Sequence, residues 1–286
     1  MTVGCSYFGV RIVRHVARDM RDLTARGFDA VLHTFSENDL AFYRGTMKEI
    51  VDVSHAAGLE VQLGPWGVGG TFGGEADSRF AGEHREDCQF VEEGRYLAAA
   101  CLNRPRYREF VKTWADAALE TGADRVFWDE PHWNKRVCRC DACAERFGGP
   151  LPDERTPEVD AFREQSLLDF LREVVGHVGA AGGRSTVCLL PFVDGPHGIS
   201  DWDAVAALPG LDTLATDPYW KGWGEPAEPF VSRFAQLVAE TAERHGVASE
   251  LWVPSFGLDR GDVDDLRAAV AAARSADVQG LWTWGY

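Results

Sequence analysis

Several acidic residues of this sequence follow short apolar runs, where buried strands would end. Asp129 and Glu130 are adjacent after one such run, and Asp194 and Asp217 follow later ones. A pair of carboxyl groups can perform general acid–base catalysis when one is protonated and the other is ionised. Cleavage of a glycosidic bond uses such a pair, because one carboxyl protonates the leaving oxygen while the other attacks the sugar or activates water.

Glu130 is the residue that we expect to donate the proton. It precedes Pro131 at the end of its run, and aromatic surface from Trp128 and Trp133 would favour its protonated form. Adjacent residues of a strand point to opposite faces of the sheet, so we expect only one of Asp129 and Glu130 to face the site. An ion pair with an arginine at the start of a loop is the alternative role for such an acid.

Asp217 is the residue that we expect to act as the base. It ends an apolar run and is followed by Tyr219 and Trp220, which would form a sugar-binding surface. Asp194 and Asp259 are alternatives for the same role. An acid before a proline also suits a turn, so a structural role is equally compatible with the position of Asp217.

Tryptophan is concentrated near the expected strand ends. Eight of the ten tryptophans lie on or just after predicted strands, and only Trp114 and Trp202 lie elsewhere. Rigid indole faces stack well against the C–H face of a sugar ring, although filling of the core is the ordinary role of such rings. The predicted carbohydrate-binding residues are Trp66, Trp133, His33, Asp194, Tyr219, Trp220, Trp252 and Trp284.

A cysteine cluster follows the paired acids. Cys138, Cys140 and Cys143 form a C-x-C-x-x-C pattern, whose thiolates can converge on one zinc ion. A fourth ligand must come from another segment, and Cys101 and Cys88 are the alternatives. Four thiolates would make a closed structural site, and three would leave an open position for water. Three reduced thiols without metal are the remaining alternative.

Short strand-like runs alternate along the chain with longer segments of helical periodicity, as in parallel strands joined by crossover helices. About eight runs are found, and this number favours a (β/α)8 TIM barrel that spans residues 1–286 as one catalytic domain, with a zinc-binding loop around 138–143. The predicted strands are Val3 to Phe8, Asp29 to Thr34, Glu60 to Pro65, Arg125 to Glu130, Thr186 to Phe192, Thr213 to Asp217, Glu250 to Phe256 and Gly280 to Trp284.

Helix signals support the same alternation. Tyr107, Val111, Trp114 and Ala118 form an apolar stripe after Pro105, which predicts a helix that leads into the strand ending in the paired acids. Ser36 and Asp39 resemble a capping pair at the start of another helix. The sequence ends two residues after Trp284, so we expect the eighth helix to be missing or supplied by a partner subunit in a homo-oligomer.

The glycine-rich stretch from Gly67 to Gly74 lacks the pattern of a nucleotide-binding loop. The connection from about Gly67 to Ala100 is long, and we expect a mobile loop over the carboxyl-terminal face of the barrel.

The formal net charge of -16 disfavours nucleic acid and anionic membranes as partners, because both attract basic surfaces. The first twenty residues lack the pattern of a signal peptide, and no apolar run reaches the length of a membrane helix, so we expect a cytoplasmic protein.

Two segments resemble glycoside hydrolase family 42, the bacterial β-galactosidases with a catalytic (β/α)8 barrel. They are "CLNRPRYREF" from Cys101 to Phe110 and "CRCDACAERFG" after a strand that ends in Asp-Glu. The resemblance implies that Glu130 is the acid/base residue. It also implies that Cys101, Cys138, Cys140 and Cys143 bind a structural zinc, in which case Cys88 is not a ligand.

The sequence also departs from that family. Asp129 stands where the family has Asn, and Pro254, Ser255 and Phe256 stand where the family's nucleophilic Glu ends the seventh strand. The sequence therefore predicts a glycosidase-like enzyme in which Asp217, Asp194 or Asp259 assists Glu130. A sugar lyase or isomerase that uses Glu130 and Asp217, and a carbohydrate-binding barrel without activity, are the alternatives.

Overall fold

The computed structural model describes residues 1–92, 94–192 and 198–286. Its strands are β1 (Thr2–Tyr7), β2 (Ala30–Thr34), β3 (Glu60–Gly64), β4 (Cys88–Glu92), β5 (Arg95–Ala100), β6 (Arg125–Asp129), β7 (Arg184–Leu189), β8 (Thr213–Thr216), β9 (Ala248–Pro254) and β10 (Gly280–Trp284). Within the described residues, eight parallel strands close into a barrel in the order β1-β10-β9-β8-β7-β6-β3-β2. The predicted TIM barrel is confirmed.

Helices connect the strands around the outside of the barrel. The described helices are α1 (Val13–Ala25), α2 (Glu37–Phe42), α3 (Arg44–Ala56), α4 (Arg79–Glu83), α5 (Pro105–Glu120), α6 (Asp141–Phe147), α7 (Pro157–Ala180), α8 (Trp202–Ala206), α9 (Trp220–Trp223), α10 (Ala227–His245) and α11 (Val263–Ser275). The residues described after β10 are Gly285 and Tyr286.

The helix signals in the sequence correspond to structure. The predicted stripe of α5 is buried at Tyr107, Val111, Trp114 and Ala118, and Pro105 is the first residue of the helix. At the start of α2, Ser36 and Asp39 form a reciprocal capping box. Caps of this type fix where a helix begins, because they satisfy backbone N–H groups that have no partner within the helix.

The long connection after β3 is more regular than expected. It contains α4 and an antiparallel pair formed by β4 and β5, in addition to the short 3-10 turns Val68–Gly70 and Arg85–Asp87. These elements within the long connection were not identified from the sequence. Its strand signal was weak because β5 is largely exposed until its last two residues and so lacks a continuous apolar face.

The core has two layers, because successive strand residues point alternately into the barrel and toward the helices. The inner layer consists of Ala30, Leu32, Phe127, Cys188, Ala215, Trp252 and Trp282. The outer layer fills the space between strands and helices and includes Trp128 and Trp133. Glu250 and Gln62 also point inward and are joined by a hydrogen bond of 3.1 Å from Gln62 Nε2 to Glu250 Oε1.

The helices of the described chain include none with both the length and the apolar character of a membrane span.

Candidate active site

A cavity of about 130 Å³ opens at the carboxyl-terminal end of the barrel. Its lining residues follow or end β3, β6, β8, β9 and β10, which is where TIM-barrel enzymes place their reacting groups. The lining consists of Trp66, Gly74, Glu75, Asp129, Glu130, Asp217, Tyr219, Phe256 and Trp284. The three acids predicted to be catalytic are thus brought together in one cavity.

Asp129 and Glu130 both face this cavity, and the expectation that only one of them would do so was wrong. A methyl group added to Gly73 would lie 2.7 Å from Asp129 Oδ2 and 3.1 Å from Glu130 Oε2, so the two carboxyl groups lie beside the same point. The pleat does not separate them because β6 ends at Asp129, and Glu130 adopts a left-handed conformation with φ of 40°.

The left-handed backbone of Glu130 is unusual for a residue with a side chain and costs on the order of 1 kcal/mol. Neighbouring groups hold it in place. The Glu130 N–H donates to the carbonyl oxygen of Cys188 at 3.1 Å, and His132 Nδ1 donates to the carbonyl oxygen of Glu130 at 2.7 Å. Such strain is found most often at functional sites, where the surrounding structure imposes it.

The carboxyl groups of Glu130 and Asp217 line the same cavity and interact with each other, although their strands are separated in the barrel by β7. Two such carboxyl groups can contact each other directly only if one of them carries a proton. Asp217 is almost fully buried, and its Oδ1 has no donor among the described residues. The pair can therefore supply one acid and one base when a single proton is held between them.

The surroundings favour the protonated form of two of the acids. Removal from water, followed by the nearby charge of Glu130 and its hydrogen bond, raises the pKa of Asp217 well above its usual range. Removal from water, with the charges of Glu130 and Glu75, likewise raises the pKa of Asp129. The described lining contains no lysine or arginine that would reverse these shifts.

Aromatic rings form the remaining walls of the cavity. Trp66 and Trp284 stack with ring centroids 5.4 Å apart and an interplanar angle of 5°, and Phe8 stacks beside both of them. Tyr219 lies beside Asp217, and burial raises the pKa of its hydroxyl well above the usual range, so this group remains a hydrogen-bond donor. Rings and a donor of this kind suit a ligand with both C–H faces and hydroxyl groups.

Other predicted ligand-binding residues lie away from the cavity. His33 is fully buried and points toward α3, where its Nε2 contacts Ser54 Oγ at 2.9 Å. Trp133 is also buried, and its Nε1 donates to the carbonyl oxygen of Arg163 at 2.9 Å. Trp128 donates to Ser185 Oγ in the outer layer, so the aromatic surface expected next to Glu130 comes from other rings.

Trp252 and Trp220 are not cavity walls either. Trp252 lies inside the barrel, where it stacks on Trp282 at 4.8 Å and contacts Trp284 from below at 5.9 Å. Trp220 is buried at the start of α9. The alternative base Asp259 caps a 3-10 turn through Gly261 N–H, and the other alternative, Asp194, lies outside the described residues.

Sequence reasoning missed Glu75, Phe256 and the role of the glycine-rich stretch. Gly73 N–H donates to the carbonyl oxygen of Asp129 at 3.0 Å, and a methyl group on Gly74 would lie 2.6 Å from the Trp66 ring. Absence of a side chain therefore lets this loop pack directly on the acids and on the aromatic wall. The cluster of glycines was a visible signal, but it was interpreted as mobility.

Glu37 anchors the same loop from below. This almost fully buried carboxylate accepts from Gly69 N–H at 2.8 Å, Ser78 Oγ at 2.7 Å and Phe80 N–H at 2.6 Å. Charge-assisted hydrogen bonds to backbone N–H groups are among the stronger ones in proteins. Glu37 therefore fixes both ends of the segment that covers Asp129 and Glu130.

Four buried cysteines form the predicted candidate metal centre. The sulfur atoms of Cys101, Cys138, Cys140 and Cys143 lie within 4.8 Å of one another, with Cys101 Sγ 3.4 Å from Cys143 Sγ and 3.5 Å from Cys140 Sγ. Asn103 Nδ2 donates to Cys143 Sγ at 3.4 Å. The cluster could hold a metal ion and would tie the start of α5 to the loop after β6.

Cys88 is outside this cluster, since its thiol donates to the carbonyl oxygens of Ala81 and His84. A second group of potential ligands, His84, Glu86 and Asp87, surrounds the guanidinium of Arg106. That cation already neutralises the two carboxylates. Asp129, Glu130 and Asp217 do not belong to either group.

No protein-family profile matches the sequence. A search of curated proteins also finds no match.

Comparison with solved structures identifies barrel enzymes at low sequence identity. The endo-1,4-beta-mannanase from Rhizomucor miehei matches 99% of this chain and 85% of its own, with a TM-score of 0.70 and 11% identity. A D-psicose 3-epimerase matches 100% of this chain and 85% of its own, with a TM-score of 0.56 and 9% identity. A Flavobacterium johnsoniae chitobiase matches 99% of this chain and 44% of its own, with a TM-score of 0.55 and 10% identity. These similarities establish the fold.

Proposed function

We propose that this protein is an enzyme that hydrolyses a glycoside, with Glu130 as the proton donor to the leaving oxygen. The observation that supports this proposal most strongly is that the Glu130 and Asp217 carboxyl groups meet in one cavity with aromatic walls, where a proton can be shared between them. A shared proton provides an acid and a base at the same pH, which is what general acid–base cleavage requires. The similarity in fold to a mannanase and a chitobiase is compatible with this role.

In the proposed reaction, the pair gives its proton to the glycosidic oxygen as the bond to the anomeric carbon breaks. The bonding electrons remain on the leaving oxygen. Water then adds to the anomeric carbon, and the proton that this water loses returns to the ionised carboxylate. The proton rests on Asp217, whose pKa is raised, and passes to Glu130 when the substrate binds; Glu130 then acts as the acid and the ionised Asp217 as the base, while protonated Asp129 donates a hydrogen bond to a sugar hydroxyl.

A second candidate reaction is isomerisation or elimination on a sugar by the same two residues. The contact between Glu130 and Asp217 favours it, because glycosidases place their two carboxyl groups roughly 5 to 9.5 Å apart, across the scissile bond. Hydrolysis requires the substrate to separate the pair on binding. Proton transfer on one face of a sugar does not require the two carboxyl groups to separate. The similarity in fold to an epimerase is compatible with that chemistry.

Isotope labelling distinguishes the two reactions. A panel of β-D-galactosides, β-D-glucosides and β-D-mannosides, together with the free sugars, is incubated with the protein in H₂¹⁸O and, separately, in D₂O. Hydrolysis will place ¹⁸O on the anomeric carbon of a released sugar. Isomerisation or elimination will instead place deuterium on carbon or produce an unsaturated sugar.

Binding without turnover is the remaining alternative, and Glu130→Gln tests it. If the protein is an enzyme, the variant will keep its affinity for the sugar in calorimetry and lose turnover. If wild-type protein binds members of the panel without converting any of them, the enzymatic proposal is wrong and a carbohydrate-binding role is supported.

We also propose that the cysteine cluster holds one structural zinc ion. Zn–S bonds of about 2.3 Å in a tetrahedron place the sulfur atoms about 3.8 Å apart, close to the separations of 3.4 and 3.5 Å at Cys101. Four thiolates leave no open coordination position, so a zinc ion here would stabilise the fold and take no part in the reaction. Asn103 would support Cys143 through its hydrogen bond to the sulfur.

A further inference from the structure

A second cleft adjoins the acid-lined cavity. It has a volume of about 360 Å³ and is lined by Tyr219, Lys221, Gly222, Trp223, Pro254, Phe256 and Gly257. Tyr219 and Phe256 belong to the lining of both spaces, so a molecule held by the acids can extend directly into the second cleft. No role has yet been assigned to the residues that it adds.

The walls of this cleft are mainly aromatic. Trp223 is 45% exposed and Phe256 is 50% exposed, which is unusual for such large apolar side chains. Tyr219 contacts Phe256 edge-on with ring centroids 5.5 Å apart, and Phe192 supports Trp223 in the same way at 4.7 Å. Supported rings of this kind keep a fixed orientation while their other faces remain open to a ligand.

Polar side chains are scarce in the cleft. Among the described lining residues, only the Tyr219 hydroxyl, the Lys221 ammonium group and the Trp223 indole N–H can form side-chain hydrogen bonds. Lys221 is already paired with Asp262 and lies 3.9 Å from Asp259 Oδ2. A second sugar ring would lose hydration at several hydroxyl groups without recovering equivalent partners, and this loss disfavours its binding.

We propose that this aromatic cleft binds the leaving-group portion of the substrate and that this portion is an apolar, planar ring. The inference rests on the proposed hydrolytic function and deepens it, because it makes aryl or arylalkyl glycosides the substrate class. The sugar occupies the cavity beside Glu130 and Asp217, and the ring of its aglycone lies between Trp223 and Phe256. Release of the alcohol leaves the sugar beside the acids.

Pairs of glycosides that differ only in the leaving group test this assignment. Methyl and 2-phenylethyl β-D-galactosides, β-D-glucosides and β-D-mannosides all release simple primary or methyl alcohols, so a large difference in leaving-group acidity is avoided. We expect wild-type kcat/KM to favour the 2-phenylethyl member by about tenfold, the effect of about 1.4 kcal/mol of ring contacts. Trp223→Ala will remove most of that preference.

Phe42→Ala is the matched control, because Phe42 is 65% exposed and contacts Arg79 away from both cavities. It will keep the preference of the wild-type protein. Equal kcat/KM for the two members of a cleaved pair would overturn the aglycone assignment while leaving hydrolysis intact. The same conclusion follows if Trp223→Ala retains the full preference.

A binding measurement separates failure of this inference from failure of the proposed function. The indole N–H resonance of Trp223, assigned with the Trp223→Ala variant, is followed by NMR during titration with 2-phenylethanol. A saturable shift supports the cleft as an apolar ring site even if no glycoside in the panel is cleaved. No shift up to the solubility limit of the alcohol overturns it.

Discussion

Glu130 and Asp217 line one cavity at the mouth of the barrel, although they are 87 residues apart in sequence and follow strands that are not neighbours. Asp129 faces the same cavity on the inner side of β6, and Glu130 joins it because its own backbone has a positive φ. Three acids cannot all ionise at low cost in a cavity whose described lining holds no lysine or arginine, so the pKa values of Asp129 and Asp217 are raised well above their usual range. This property is what the proposed chemistry uses.

Glu130→Gln will lower turnover by a factor of about 10² to 10⁴, the usual contribution of a positioned acid or base. The amide retains the shape of the side chain, so we expect the melting temperature to change little. Activity on the glycoside panel and thermal unfolding are measured in parallel. Glu49→Gln, at an exposed position on α3, is the control and will behave as wild type. Undiminished turnover in Glu130→Gln would exclude Glu130 as the proton donor.

Gly73→Ala will impair the site without unfolding the protein. The added methyl group would lie 2.7 Å from Asp129 Oδ2, so it must displace the acids or the loop, and a misplacement of about 1 Å costs on the order of 10²-fold in rate. Gly82→Ala is the matched control, because a methyl group there meets no atom within 4 Å. Steady-state kinetics and circular dichroism on both variants test the prediction. Equal activity in the two variants would contradict it.

Glu250 gives the stability of the protein a pH dependence that is independent of the active site. Burial inside the barrel raises its pKa to about 7 from an ordinary value of 4.5. Between these two pH values the folded state holds a proton that the unfolded state has lost, so stability falls as the pH rises through this window. The loss amounts to about 3 kcal/mol above pH 7.

Urea unfolding of wild type and Glu250→Gln at several pH values between 4 and 8 measures this effect. The variant retains the hydrogen-bonding shape of the side chain and lacks its ionisation. Its free energy of unfolding, relative to that of the wild type, will therefore increase as the pH rises. A constant difference across the range would mean that the Glu250 carboxyl ionises in the folded protein as it does in the unfolded chain.

Removal of one cysteine ligand will release the proposed zinc ion. Elemental analysis of the wild type is expected to give about one zinc per chain, and Cys140→Ser will give none and will unfold at a lower temperature, because metal binding contributes directly to folding. Cys88→Ser is the control, since Cys88 is buried but lies outside the cluster. Zinc-free wild-type protein, or a zinc content that survives in Cys140→Ser, would refute the assignment.

The fold was predictable because its signals are local. Alternating apolar runs and helical stripes identified every barrel strand, and Ser36 and Pro105 marked helix starts. The β4 and β5 pair was missed because β5 is mostly exposed and carries no strong apolar pattern. The positions of Asp129, Glu130 and Asp217 at the carboxyl ends of predicted strands also identified them as candidate site residues. Parallel strands bring those ends together at one rim of the barrel.

The direction in which each side chain points was less predictable from the sequence. Proximity to a strand end does not determine whether a ring faces inward, and Trp128 and His33 point toward the helices while Trp252 and Trp284 point into the barrel. The positive φ of Glu130 has no signature in its residue type, so the sequence could not show that both adjacent acids share the cavity. The contact between Glu130 and Asp217 depends on closure of the barrel.

The central claim is that burial and mutual charge raise the pKa values of Asp129 and Asp217, and a ¹³C NMR titration of the side-chain carboxyl groups tests it most directly, without a substrate. Resonances are assigned with Asp129→Asn, Glu130→Gln and Asp217→Asn. We predict that Asp129 and Asp217 titrate well above the range of ordinary aspartates and that Glu130→Gln lowers the pKa of both, because the charge of Glu130 contributes to the shifts. Titration of both aspartates near pH 4 in the wild-type protein would contradict the claim.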